Sequence, residues 1–137
     1  MAGWLHNDNA GLDLVTNRFE KRAGYIEGWY QLDPQKLIAN TTHDFIFDDP
    51  REPNPVSREH LEAYMHRWDS WTREAGANNQ WILEEEVRQD KNGILTDWEW
   101  WGLVGTEIFG MALVKTRDEG VFLERITYFD RNNPPQL

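Results

Sequence analysis

The stretch Trp81–Val104, WILEEEVRQDKNGILTDWEWWGLV, decides the fold. "WILEEEV" is rich in strand formers, and "QDKNG" marks a hairpin, because Asn-Gly tolerates the positive φ of a tight turn. "ILTDWEWWGLV" then resumes an extended pattern. Two further runs follow, "EIFGMALVKT" after a turn near Gly105 and "VFLERITYFD" after "RDEG". Four long strands joined by successive hairpins predict an antiparallel sheet.

The first half of the chain reads differently. Leu12, Val15, Phe19, Ala23, Ile26 and Tyr30 recur at helical spacing and predict a first helix. "LDPQKLIAN" predicts a short second helix, with Asp33 as N-cap and Pro34 at the first helical position. "HDFIFDDP" sets Phe45 and Phe47 between Asp44 and Asp48, a strand ending at Asp49-Pro50. "REPNPV" predicts a loop. Ser57 is the expected cap of a third helix with Leu61, Tyr64, Met65 and Trp68 on one face, closed by "AGANN". The expectation is one α+β domain over residues 1–137, with 1–11 a mobile arm and 132–137 a tail. The helices gather on one face of a strongly curved, mostly antiparallel sheet, leaving a cavity between the layers.

Composition narrows the function. A net charge of −10 repels phosphate backbones and anionic lipid surfaces, so neither nucleic acid nor membrane is an expected partner. No apolar run approaches the roughly 20 residues that cross a bilayer, the first residues lack a basic-then-apolar leader, and there is no cysteine, which together point to the cytoplasm. Eight tryptophans supply either core, or the lining of a pocket for a flat or aromatic ligand, or both. No glycine-rich phosphate loop occurs, and no cofactor is expected. Glu84 and Glu86 are expected on one strand face and Glu85 on the other, with no histidine at ligand spacing, so no metal is expected.

Three strings, "YIEGWYQLDPQKLI" (25–38), "HDFIFDDP" (43–50) and "DEGVFLERITYFDR" (118–131), resemble the nuclear transport factor two-like superfamily. That superfamily includes ketosteroid isomerases, limonene-epoxide hydrolases, scytalone dehydratase and SnoaL-like polyketide cyclases, and the resemblance spans roughly residues 12–131. It implies a cone-shaped α+β barrel around an apolar pocket, wrapped on a long N-terminal helix with two further helices. It implies Tyr25 as a hydrogen-bond donor and Asp49 as a base, while the isomerases' strand aspartate falls near Ala112 and the hydrolases' final-strand aspartate falls at Thr127. Matching the turn at Gly120 to the family's turn implies that Arg125, Thr127 and Phe129 point inward, with Glu124, Ile126 and Tyr128 outward. It also implies a homodimer through the outer sheet face.

The expected catalytic residues are therefore Asp49, Tyr25, Arg125 and His66. Asp49 is either a pocket base or a turn aspartate; Tyr25 either an oxyanion donor or a packed tyrosine. Arg125 is either a pocket cation paired with Glu99, Glu107 or Asp49, or a solvent-facing residue paired with Glu84 or Glu86. His66 is either a proton carrier or a helix-edge residue. Trp98, Trp100, Phe47, Trp29, Thr127 and Phe129 are expected to shape the pocket, although in "DWEWW" Trp98 and Trp100 oppose Asp97, Glu99 and Trp101, and one set lines the pocket while the other faces outward. The reading is a cofactor-independent acid–base enzyme, a lyase or isomerase, acting on a hydrophobic cyclic or aromatic small molecule. A non-catalytic carrier and a dimeric scaffold are the alternatives.

Overall fold

The computed structural model describes residues 2–77 and 80–133, with side chains described from Asn17 onward. Its elements are α1 (Ala2–Gln31), α2 (Pro34–Ala39), β1 (Thr41–Asp48), β2 (Val56–Ser57), α3 (Leu61–Glu74), β3 (Trp81–Lys91), β4 (Ile94–Leu103), β5 (Ile108–Arg117) and β6 (Gly120–Asp130). The strands form one sheet in the order β2-β1-β6-β5-β4-β3. All neighbours are antiparallel except β1 and β6, which run parallel. The expected α+β architecture is present, but the sheet is open, with β2 and β3 as its edges, and not a closed barrel.

Local chemistry explains the elements. Asp33 caps α2 by accepting from the Lys36 N–H at 3.2 Å, with Pro34 at the first position as expected. The β3–β4 turn is the two residues Asn92 and Gly93, with φ of 55° and 78°, the conformation that an Asn-Gly hairpin supplies. Gly28 lets α1 touch α2, since a Cβ there would lie 2.8 Å from the Leu37 backbone nitrogen.

Several boundaries differ from the sequence reading. Helix α1 starts at Ala2, so it takes in the stretch expected as an arm; most of the expected tail, residues 134–137, lies outside the described residues. Val56 belongs to a short edge strand rather than to the loop. Ser57 does not cap α3: a single 3-10 turn, Arg58–His60, intervenes, and the Ser57 hydroxyl meets His60 Nδ1 at 3.0 Å. The acidic run is bulged, since Leu83 pairs with Trp101 but Glu85 with Trp100. Glu84 and Glu86 therefore do not share a face: Glu84 pairs with Arg131, and Glu86 lies opposite Glu99.

The core lies between sheet and helices. Tyr25 and Trp29 of α1, Leu37 of α2, Phe45 and Phe47 of β1, Tyr64, Met65 and Trp68 of α3, and Trp81 and Trp101 of the sheet pack as one cluster. The buried stripe of α1 is Arg18, Arg22, Tyr25 and Trp29, at helical spacing, while Tyr30 and Ala23 of the expected apolar series are exposed.

Candidate functional site

Strand alternation decides which side chains meet the helices. In β4, Asp97, Glu99 and Trp101 point inward, and Trp98 points out with 45% of its surface exposed. In β6 the inward set is Glu124, Ile126 and Tyr128. The reason is a bulge: Thr116 pairs with Val121, yet Lys115 pairs with Leu123, so Phe122 is an extra residue in the ladder. One extra residue reverses the facing of everything beyond it. Arg125 is thereby placed on the outer face, where it pairs with Asp48 at 3.1 Å. Thr127 is exposed there beside it, and Phe129, partly covered, shares that face.

Between α1 and the sheet lies a cavity of about 60 Å³. Its walls are aromatic: Trp29 of α1, Phe47 of β1, Trp68 of α3, Trp81 of β3 and Trp101 of β4, with Ile26, Tyr30 and Ile126 completing the apolar lining. The rings interlock. Trp29 meets Phe47, Tyr64 and Trp68 edge to face, Trp68 stacks on Trp81, and the exposed Tyr30 meets Trp101 at 5.9 Å. The indole N–H groups of Trp29 and Trp81 have no hydrogen-bond partner among the described residues. The Trp29 N–H favours the Tyr25 oxygen electrostatically without reaching hydrogen-bond geometry. Both indole nitrogens are buried.

One end of the cavity is polar, and three groups make it: Arg22, Glu99 and Glu124. The Arg22 Nε–H donates to Asp97 Oδ2 at 3.1 Å, and its other nitrogen donates to Glu99. Arg88 adds a second guanidinium to Asp97 at 2.6 Å. Burial works against the charge of Arg22, but Glu99 and Asp97 more than offset it and hold its pKa above the usual value. Burial pushes the Glu99 carboxyl up, with Arg22 opposing. Glu124 accepts the Tyr25 hydroxyl at 2.6 Å. Burial is the largest influence on Glu124 and the Glu99 charge adds to it; together they outweigh the Tyr25 hydrogen bond and raise its carboxyl from 4.5 to about 7. The Tyr25 phenol is pushed well up by burial and by Glu124, so it serves as a donor.

Of the expected site residues, Trp29 and Phe47 line the cavity, and Tyr25 lies behind it, bonded to the lining Glu124. Asp49 is buried but does not line it. Its Oδ2 accepts the hydroxyls of Tyr64 at 2.6 Å and Tyr128 at 3.1 Å, and its Oδ1 accepts the Arg51 N–H at 2.8 Å, so it is both a turn aspartate and a core anchor. Arg125, Thr127, Trp98, Trp100 and Phe129 lie on the outer sheet face instead. His66 is exposed on α3 beside Arg67 and Ser70, away from the cavity. Arg22 and Glu124 are the functional candidates the sequence reading missed. For Arg22 the signal was present, since it continues the stripe of Tyr25 and Trp29; for Glu124 the bulge hid it.

Glu86, Asp97 and Glu99 bring one oxygen each within 4.8 Å of one another. Arg22 and Arg88 already donate to this cluster, which reads as an ion-pair network.

No protein-family model matches the chain, and no curated protein does. Solved structures match along most of its length. An NTF-2 like protein of unknown function from Burkholderia xenovorans is 14% identical, covers 90% of this chain and 89% of its own, and has a TM-score of 0.59. A candidate ketosteroid isomerase from Kribbella flavida is 13% identical, with 90% and 85% covered and a TM-score of 0.58. A candidate SnoaL-like polyketide cyclase from Shewanella putrefaciens is 11% identical, with 85% and 81% covered and a TM-score of 0.58. Likeness at this identity speaks for architecture, and it agrees with the three strings and the element order: the chain has the nuclear transport factor two-like fold.

Proposed function

We propose that the chain is a general acid–base enzyme, a lyase or isomerase that works without a cofactor on a compact hydrophobic, cyclic or aromatic molecule. Glu124 is its proton carrier. The single observation that carries this is a buried carboxyl with a pKa of about 7 at the polar end of an aromatic cavity. A group titrating near neutral pH can both take and return a proton, which is what isomerisation, dehydration or retro-aldol cleavage requires. Tyr25 orients Glu124 and stabilises its anion, and Arg22 with Glu99 fixes the polar wall. The cavity has room for about four to six waters at 10–15 Å³ each. A larger ring system therefore enters only if Tyr30 and Trp101 part.

The test is a screen of small ketones, epoxides and phenols, by thermal shift and by mass spectrometry of products, on the wild type and Glu124→Gln. Conversion that disappears in Glu124→Gln, and persists in Asp49→Asn, is the expected result. Binding without conversion in either protein would favour the carrier reading, for which the aromatic lining of the cavity is the supporting observation.

The chain is also proposed to pair with a second copy through the outer sheet face, where Trp98 and Val87 are 45% and 59% exposed beside Trp100 and Leu113. Sedimentation of the wild type and Trp98→Glu checks this: a dimer that becomes a monomer is expected.

A further inference from the structure

We infer that the cavity binds a small organic ammonium, a quaternary or protonated amine held by its tryptophans and by Glu124. This rests on the acid–base reading of the same site and adds the chemical class of the ligand. Four indoles, a phenylalanine and a tyrosine line a space of about 60 Å³, so a trimethylammonium-sized head placed there touches several rings at once. Aromatic boxes attract such cations through the negative faces of their rings, within about 6 Å of the centroid.

Charge at the polar end points the same way. The charged groups lining the cavity are one guanidinium, Arg22, and two carboxyls, Glu99 and Glu124. Arg22 is committed to Asp97 and Glu99, both of which accept from it. Its charge is spent on those two, leaving Glu124 as the group without a cationic hydrogen-bond partner among the described residues; its hydrogen bond comes from the neutral Tyr25 hydroxyl. With Glu124 ionised the lining is one charge short of neutral, and a monovalent cation completes it. A ligand anion would instead have to displace Asp97 or Glu99 from Arg22.

The same geometry makes binding pH-dependent. Glu124 is faced by Arg22 and Tyr25 from α1, Glu99 from β4, Asp49 at the end of β1 and Tyr64 from α3. A quaternary ammonium does not titrate, so its affinity follows the ionisation of Glu124 and rises with pH through about 7.

The probes are choline, its uncharged isostere 3,3-dimethylbutan-1-ol, and pivalate, measured by calorimetric titration of the intact chain at pH 6 and pH 8. Choline is expected to bind at least tenfold tighter than the alcohol at pH 8, with pivalate weaker than either. That preference is expected to fall several-fold at pH 6 and in Glu124→Gln. The pH comparison uses wild type alone, so it stands even if the variant fails to fold. Equal affinity for choline and the alcohol, tighter binding of pivalate, or no choline binding at millimolar concentration overturns the inference. Turnover of a neutral ketone that needs Glu124, without any choline preference, removes the ammonium ligand and leaves the acid–base reading. Choline preference with no turnover of any compound does the reverse.

Discussion

Replacing Glu124 with Gln should change how the stability of the protein depends on pH, and the size follows from the site. The carboxyl titrates near 4.5 in the unfolded chain and at about 7 in the fold. Its raised value means that the folded state holds the proton more tightly. The sign is therefore that of a group that stabilises when protonated. Below the unfolded value both states carry the proton and nothing is lost; as pH rises from about 4.5 to about 7 the unfolded chain releases its proton while the fold keeps it, and the fold loses stability. The gap between about 7 and 4.5 corresponds to about 3 kcal/mol at roughly 1.4 kcal/mol per unit, and most of it falls between pH 5 and pH 8. Gln keeps the shape and still accepts from Tyr25, but it does not titrate. Urea denaturation of wild type and Glu124→Gln at pH 5, 6, 7 and 8 reads the effect directly. The variant should gain on the wild type by about 2–3 kcal/mol between pH 5 and pH 8, or several degrees in melting temperature for a chain of this length. Glu99, also raised by burial, slopes in the same direction, and because its charge acts on Glu124 part of the measured difference belongs to the pair. Asp44, held low by the Thr42 hydroxyl and by Arg117, acts at more acid pH. Parallel stability profiles for the two proteins would refute the assignment of a neutral-range pKa to Glu124, and with it the proton carrier.

Other expectations follow from the same contacts. Arg22→Met strands Asp97 and Glu99 without their main counter-charge and should cost about 3–5 kcal/mol in urea denaturation, or abolish folding. Gly28→Ala places a Cβ 2.8 Å from the Leu37 backbone nitrogen, so α1 and α2 must separate; a loss of about 1–3 kcal/mol is expected in the same assay. Tyr128→Phe removes one of two hydroxyls from Asp49 and should cost about 1 kcal/mol while leaving ligand binding in the cavity unchanged by calorimetry. Arg125→Ala removes only a surface pair with Asp48 and should change neither stability nor turnover measurably.

The fold was legible because its signals are local and redundant. Asn92-Gly93 fixes a hairpin, Asp33-Pro34 fixes a helix start, and both hold in the structure. The site was legible only where the chain carries no irregularity between signal and residue. Tyr25, which the family resemblance implied, lies on one uninterrupted helix, so no irregularity separates it from its expected place. Arg125 was read inward by matching the turn at Gly120 to the family's turn, which presumes an unbroken ladder after it. The bulge at Phe122 breaks that count, and no residue in "GVFLER" announces it. The same holds at Glu84, where a second bulge separates it from the face of Glu86.

Arg22 was overlooked for a different reason. Hydrophobic patterning treats a charged residue as solvent-facing, and in α1 that rule selects Phe19, Ala23, Ile26 and Tyr30. The buried stripe instead includes Arg18 and Arg22, because strand carboxylates wait for them: Asp90 and Asp118 for the first, Asp97 and Glu99 for the second. An arginine can sit on the inner face of a helix only if carboxylates meet it from another element, and that pairing is long-range information. The two misreadings have one consequence. They put Arg125 in the cavity and Glu124 outside it, when the fold does the opposite. Exchanging those two residues changes the chemistry of the pocket from one that grips an anion to one that holds a proton and welcomes a cation, while the order of the main helices and long strands is as expected.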